Sequence, residues 1–411
     1  MDIDTGATAW VLVSAALILF MTPGLAFFYG GMVRAKHVLG MLMQNVFAMG
    51  LISILWAVVG FGIAFGGSNG WIGSLDFAFL RGLPALAGDL PGYGGALAIP
   101  TMAFFAFQMM FAVITPALIT GATADRLKFA GYALFIGLWS VLVYSVVAHW
   151  VFSPVGWLFK RGALDFAGGA AIHINAGIAA LAVVMVIGPR RGWNREPMPP
   201  HNLPLTVLGT GILWFGWFGF NAGSALAADG VAAHALVNTH LAAAAAMCGW
   251  LLVEKRHAGH ATTLGAASGA VAGLVAITPC AGFVGAMSAI LIGLLAGVIC
   301  YLALRIKTML KLDDSLDVIA VHLVGGLFGS LVLGLFADKS ATGIGTDGLF
   351  FGGGASLLVD QLVAVVAVLI YSFGVSYGLA WVVNRVVGLR VSPDDEMIGL
   401  DQSQHAETAY Q

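Results

Sequence analysis

The sequence predicts an all-α polytopic membrane protein: eleven transmembrane helices, built as two inverted five-helix repeats plus one extra helix. Composition is the first reason. Of 411 residues, 60% are hydrophobic and only 9% are charged, against about 25% charged in a soluble domain. Much of the surface must therefore face lipid. The second reason is the recurrence of apolar runs of about 18 or more residues, the length that crosses a bilayer as a helix. The third is that the basic residues collect in every other loop and so mark one side of the membrane.

Eleven runs meet the length criterion, at about 8–32, 38–65, 99–122, 129–150, 168–188, 204–225, 234–253, 262–279, 283–303, 317–337 and 356–386. The first far exceeds the roughly 7–15 apolar residues of a signal-peptide core and has no basic region before it, so a retained helix is expected. The eighth is short and rich in Gly and Ala. Gly265, Gly269 and Gly273 repeat there at four-residue spacing, and Gly293 and Gly297 repeat it in the ninth. Small residues at that interval let helix backbones approach closely in lipid, which is a packing signal.

One set of loops, with the C-terminal segment, carries Arg34, Lys36, Arg126, Lys128, Arg190, Arg191, Arg195, Lys255, Arg256, Arg305, Lys307, Lys311, Arg385 and Arg390. The other set carries Arg81, Lys160, Arg161 and Lys339. Positive charge marks the cytoplasmic side. The N-terminus is therefore expected outside, and a tail over 389–411 in the cytoplasm after an eleven-helix domain over 1–388. Ten or twelve spans would destroy the asymmetry. The odd count suggests repeats over about 8–188 and 204–337, with the helix at about 356–386 left over. Helices 1 and 6 both carry aromatic–glycine clusters, Phe27-Phe-Tyr-Gly-Gly and Trp214-Phe-Gly-Trp-Phe-Gly-Phe. Inverted repeats place substrate sites near the midplane between the halves.

Several function classes are disfavoured. A net charge of −2 with no basic block argues against a nucleic-acid partner. Cys248, Cys280 and Cys300 have neither zinc nor disulfide spacing and read as small packing residues. There is no enzymatic triad, P-loop or zinc motif, so neither an enzyme nor a cofactor is expected.

The chemistry-bearing anomalies are His173 and His322, each inside a run long enough to span. An ionisable group at membrane depth is expensive and is a functional candidate by default. Helix 5 enters from outside and helix 10 from inside, so the two approach the midplane from opposite faces. Asp165 precedes His173 by eight residues, whereas His322 lies five beyond Asp317. Counting alone does not put the two at one depth; a local shift of the helices would be needed. If they meet, one ring N–H can donate to the other ring's bare nitrogen, and the pair titrates as a unit. Such a pair can hold a small polar solute or pass a proton. The plainer reading is an interhelical hydrogen bond, or a His bonded to a backbone carbonyl.

Asp165 opens Asp-Phe-Ala-Gly-Gly and reads as an N-cap, whose buried negative charge would also favour a cation nearby. Phe111, Phe152 and Phe220 lie in or near the outer halves of helices 3, 4 and 6, and Ser224 stands one turn from Phe220. Aromatic faces and a hydroxyl could hold a small cation; equally, a given Phe could simply pack. Asp125, Arg126, Asp313 and Asp314, at inner helix ends and loops, read as solvated or structural charges.

Six stretches and a tail carry a resemblance to a known family. They are Thr22-Pro-Gly-Leu-Ala-Phe-Phe-Tyr-Gly-Gly, Phe111-Ala-Val-Ile-Thr-Pro-Ala-Leu-Ile-Thr-Gly-Ala, Ala163-Leu-Asp-Phe-Ala-Gly-Gly-Ala-Ala-Ile-His-Ile-Asn-Ala-Gly, Trp217-Phe-Gly-Phe-Asn-Ala-Gly-Ser, Thr278-Pro and Asp317-Val-Ile-Ala-Val-His, followed by Gly399-Leu-Asp and Glu407-Thr-Ala-Tyr. With them the chain resembles the bacterial type of the ammonium transporter (Amt) family nearly end to end. The resemblance implies eleven helices, an inverted repeat and a homotrimer with one pore per subunit. It implies ammonium or ammonia as the substrate, and a PII-type nitrogen regulatory protein at the cytoplasmic face.

Residue by residue, His173 and His322 match the family's twin pore histidines, in contact side by side. Phe111 and Phe220 match its phenylalanine gate, Ser224 its outer recruiting serine and Asp165 its buried aspartate. Phe28, Tyr29 and Trp217 match pore-lining positions. Two departures stand out. The family's outer aromatic box commonly has tryptophan where His149-Trp-Val-Phe places Phe152, a weaker cation–π partner without an indole N–H. The tail has His405-Ala-Glu where glycine is usual at the middle position, and Ala406 takes a positive φ less freely than glycine. Two rival readings remain: an ammonium sensor signalling through its tail, and a bis-histidine haem protein.

Overall fold

The computed structural model describes residues 2–84, 86–90 and 97–410, and its described elements are helices with two isolated β-bridges. The membrane body comprises α1 (Thr5–Met32), α2 (Ala35–Phe65), α3 (Thr101–Thr123), α4 (Phe129–Arg161), α5 (Gly169–Ile187), α6 (Leu203–Ala225), α7 (Gly230–Ala258), α8 (Thr263–Ile277), α9 (Ala286–Met309), α10 (Ile319–Phe336) and α11 (Ser356–Val386). Ten are long and apolar enough to span; α8 has 15 residues. It stops at Ile277 because Pro279 follows two residues later and can neither donate nor fit in a continuing helix. The chain goes on in turns to Phe283.

α7 begins earlier than its apolar run, because the Asp229 carboxylate accepts the Val231 and Ala232 N–H groups, both at 3.0 Å. It also ends later, at Ala258, with Lys255, Arg256 and His257 in its last turn, where cations complement the helix dipole. The glycine stripes of α8 and α9 both meet α7. A Cβ on Gly293 or Gly297 would overlap the carbonyl oxygens of Ala242 and Ala246. α1 lies along α6, and α11 packs on α5 and α10.

Four helices contain a wider π-helical stretch: Trp56–Gly60, Ser140–Tyr144, Gly169–Ile174 and Ile319–Val324. The last two open α5 and α10, the fifth helix of each half, and they contain His173 and His322. Such turns shift the register of the side chains that follow and recur at functional sites.

On the face that carries most of the basic loops, the sequence expectation of solvated charges needs correction. Asp125, Arg126, Asp313 and Asp314 are all buried, at 2%, 0%, 1% and 2% exposure. Their burial is offset by ion pairs with Arg34 and Arg190, by one between Arg126 and Asp313, and by backbone hydrogen bonds. Asp313 takes Arg190 through Nη2 at 2.8 Å and Nε at 2.9 Å. Arg126 Nη1 lies 3.9 Å from the same carboxylate, and its Nη2 donates to the Asp313 carbonyl at 2.6 Å. Asp125, in the left-handed region at φ 70°, accepts Arg34 Nε at 2.9 Å. Burial works to raise the Asp313 carboxyl, but the Arg190 hydrogen bonds and the Arg126 charge hold it below its ordinary value.

Asp313→Ala is expected to destabilise the protein by about 3–5 kcal/mol, since it strands a buried guanidinium. Because the folded carboxyl is depressed, its contribution is complete above the unfolded value of 3.8 and is lost as pH falls through the lower folded value. Thermal unfolding of both proteins in detergent should therefore give a constant gap near neutrality that closes only in strong acid. A gap that closed on the alkaline side would contradict this assignment.

The tail forms α12 (Pro393–Ile398) and α13 (Leu400–His405) and is pinned to the same face. Glu396 accepts Arg390 Nη2 at 2.8 Å and the Arg191 N–H at 2.6 Å. Asp401 accepts the Gly40 N–H at 2.8 Å at the start of α2, and Leu400 N–H donates to His37 Nδ1 at 3.2 Å. The His201 ring bridges the Val33 carbonyl and the Tyr410 hydroxyl, both at 2.8 Å. Ala406 caps α13 at φ 53°, ψ 35°. The left-handed conformation is thus adopted without glycine, at a cost of about 1–2 kcal/mol offset by these contacts.

Candidate functional site

The site begins where α5 crosses α10. Gly177 and Gly326 permit the approach: a Cβ on Gly177 would lie 2.5 Å from the Leu323 nitrogen, and one on Gly326 3.0 Å from His173 Cβ. The two histidines therefore stand side by side. Their Nδ1 atoms are 3.2 Å apart, with ring centroids 5.3 Å apart and planes 18° from parallel. One Nδ1–H donates to the other Nδ1, and His173 Nε2 has no hydrogen-bond partner among the described residues. Direct contact leaves no slot between the rings for a porphyrin, so the haem reading fails on geometry.

Each histidine is positioned by a carboxylate eight residues before it. Both oxygens of Asp165 are used: Oδ1 accepts Gly168 and Gly169 N–H at 2.9 and 2.6 Å, and Oδ2 accepts Ala170 and Ala171 N–H at 2.9 and 3.1 Å. Gly168 makes this possible with φ 120°. In the other half Asp314 accepts Val318 N–H at 3.1 Å and Ile319 N–H at 2.7 Å. Burial, then the neighbouring Asp317, pushes the Asp314 carboxyl up to about 7. The counterpart of Asp165 is thus Asp314 and not Asp317, the residue from which the depth mismatch was counted; Asp317 instead pairs with Lys307 at 2.6 Å. Equal spacing, together with the two π-helical turns, removes the mismatch.

Two cavities lie along this axis. On the face opposite the basic loops, a vestibule of about 330 Å³ is lined by Phe111, Phe152, Asp165, Ser224 and Asp229, among others. Behind it a void of about 10 Å³ is lined by Phe28, His173, Trp217, Phe220 and His322 with aliphatic side chains, close to the smallest space that holds one water. Between them Phe111 and Phe220 pack with centroids 4.6 Å apart, and each is 1% exposed. Phe220 and Trp217 in turn stack on His173 at 6.1 and 5.5 Å.

Ser224 donates to the Phe220 carbonyl at 2.8 Å, and the Phe152 ring lies 6.5 Å from Phe111. Trp217 is oriented by its indole N–H donating to Thr278 Oγ1 at 2.9 Å. Tyr29 stands back from the void: its hydroxyl donates to the Leu118 carbonyl at 3.2 Å, and its ring lies 5.6 Å from Phe28.

Sequence reasoning missed two supports. Asp314 was legible in principle, because Asp165…His173 and Asp314…His322 share one interval. The other support holds the end of α4: His149 ring nitrogens face the Ala64 and Asn69 carbonyls at 2.9 and 2.6 Å, and Trp150 Nε1–H donates to the Trp71 carbonyl at 2.6 Å. No sequence interval signals those long-range partners.

The profile of the Ammonium Transporter Family matches residues 9–410. An ammonium transporter of Mycobacterium tuberculosis is 50% identical, across 99% of this chain and 90% of the relative. In three dimensions the chain is similar to the crystal structure of Candida albicans Mep2, with TM-score 0.89, 34% identity, and coverage of 100% of this chain and 91% of that one. It is also similar to a structure described as a sensor Amt protein, with TM-score 0.88, 30% identity, and coverage of 97% and 98%. The match across the whole length, the half-identical relative and the common fold together mean that this multi-pass membrane protein belongs to the ammonium transporter family.

Proposed function

We propose that the protein takes up ammonium across the cytoplasmic membrane and passes it through its pore as ammonia. The observation that carries this reading is the pair of cavities divided by Phe111 and Phe220, with His173 and His322 in contact behind them. A bare cation in so narrow and apolar a void bears a severe desolvation penalty. The ion is therefore recruited in the vestibule by Phe111, Phe152, Ser224 and the field of Asp165, and there gives up its proton. Ammonia passes the phenylalanine gate, and the histidine pair relays the proton separately. Phe28 and Trp217 form the wall of this path, with Tyr29 packed behind Phe28. The basic-loop bias puts the vestibule outside and the tail in the cytoplasm, where a PII-type regulator would dock; the working unit is a homotrimer.

Expression in a host lacking its own ammonium transporters tests this directly. Growth on low ammonium at neutral pH is the expected result. Failure to grow, with normal membrane levels and oligomerisation, overturns transport and favours a sensor that signals through its tail, a second reading supported by the likeness to a sensor Amt protein.

The vestibule adds a quantitative expectation. Phe152→Trp presents a stronger cation–π face, worth about 0.5–1 kcal/mol at a partly exposed site. Apparent affinity for ammonium in solid-supported-membrane currents should tighten by roughly two- to fivefold. An unchanged half-saturation concentration removes Phe152 from the recruiting site.

A further inference from the structure

Asp229 and Gln108 share the vestibule wall with Phe111, Phe152 and Ser224. The backbone brings Asp229 there. After the 3-10 turn Gly223–Ala225, Leu226 takes the left-handed region at φ 54°, ψ 17°, and Ser224 and Asp229 both reach one cavity. Such a conformation is strained for a residue other than glycine, and strain of this kind gathers at ligand sites. Asp229 Oδ1 is committed to capping α7, where it accepts the Val231 and Ala232 N–H groups. The residue is exposed, and its Oδ2 accepts no hydrogen bond among the described residues. A full carboxylate charge outweighs the roughly half positive charge of a helix N-terminus, so this rim of the vestibule is net negative. Among the described residues no Lys, Arg or His lines the cavity. Arg161, two residues beyond Phe159 of the wall, is held by Asp360 at 3.0 Å. The wall also holds acceptors in need of a donor. Gln108 is 8% exposed, and its Oε1 is buried without a hydrogen-bond partner among the described residues. Ser224 gives its hydrogen to the Phe220 carbonyl, which leaves its Oγ as an acceptor.

We propose that Asp229 is a further recruiting residue, whose free carboxylate oxygen gathers the ammonium ion at the rim of the vestibule. A cleft lined by one sign of charge raises the local concentration of the opposite ion. Ammonium carries donors alone, and here it meets Asp229 Oδ2, Gln108 Oε1 and Ser224 Oγ. Gln108 stands three residues before Phe111, about 4.5 Å further out along α3, so an unmet acceptor follows the rim and precedes the aromatic gate. Asp165 cannot make this contact. Its two oxygens already accept four backbone N–H groups, which fills the lone-pair sites of a carboxylate. Asp229 thereby offsets the weaker cation–π face that Phe152 presents. The inference rests on the uptake reading above and adds a residue that governs how ammonium enters.

The test compares full-length wild type, Asp229→Asn and Asp229→Ser in proteoliposomes by solid-supported-membrane currents, at about 0.01 M and about 1 M sodium chloride. Asn and Ser cap a helix about as well as Asp, so both variants remove the charge and keep the start of α7. At low salt the half-saturation concentration for ammonium should rise about two- to fivefold in each, with the maximal current unchanged. At about 1 M, where the Debye length is about 3 Å, all three proteins should coincide. Asp229→Glu keeps the charge and should stay close to wild type at both salts. A half-saturation concentration unmoved in the variants at low salt, or a shift that persists at high salt, overturns the inference and leaves Asp229 as a helix cap alone. If the Asn variant fails to fold, the Ser variant decides by the same readings. A wild type that carries no current overturns the uptake reading, and this inference with it.

Discussion

A chain carrying both His173→Ala and His322→Ala is expected to give no transient current when proteoliposomes meet an ammonium jump. The two Nδ1 atoms are 3.2 Å apart, and the proposed relay uses them as a proton wire; positioned proton transfer of this kind contributes about 10²–10⁴-fold. Removing both rings removes the wire and reduces charge movement at least about a hundredfold. Truncation to alanine also enlarges a void of about 10 Å³, which could let water or an ion through by a different route. The variant with His322→Asn alone separates these effects. It retains a side-chain hydrogen-bonding group and most of the volume but cannot shuttle a proton. Loss of current in the Asn variant, with unfolding temperature near wild type, supports the relay. Undiminished current in both variants would sink it, and the histidines would then only shape a dry path.

The second large effect is expected at Asp165. One carboxylate accepts four backbone N–H groups at 2.6–3.1 Å, and each hydrogen bond to a charged group is worth about 1.5–3 kcal/mol. They are not additive, yet Asp165→Ala leaves four buried donors at the mouth of α5 and should destabilise the protein by on the order of 5 kcal/mol. Uptake is lost with it, because the turn that presents His173 loses its anchor. Asp314→Ala strands only two such donors and should cost about half as much. Asp165→Asn tests the charge separately: it retains one oxygen acceptor, so part of the stability returns. If uptake stays absent in a folded Asn variant, the negative charge itself is required. An alanine variant with wild-type unfolding temperature and uptake would contradict the capping role.

Different parts of this protein differ in how far they can be read from sequence. The spans are legible because lipid imposes its requirement on each segment separately, through composition over some 20 consecutive residues. Even the weakest of them, α8, was marked as short, and Pro279 explains where it stops. His173 and His322 were legible for the same reason in reverse, as the residues a bilayer should reject. Asp125, Arg126, Asp313 and Asp314 were not legible as a buried group. Whether such a charge is solvated depends on partners from the loop after α1, the end of α3, the loop after α5 and the loop before α10, which no local pattern records. Ala406 marks another limit: propensity disfavours its left-handed conformation, and the tail contacts from Glu396, Asp401 and Tyr410 override that preference.

By itself, then, the sequence determined the number of the helices and identified two histidines as costly enough to need a reason. Only the tertiary structure decided that they touch. That depends on two π-helical turns, two carboxylates eight residues upstream and the glycines at the α5–α10 crossing, all acting at once. Proximity of side chains from separate helices is a cooperative result of packing, whereas membrane insertion is a requirement each helix meets alone.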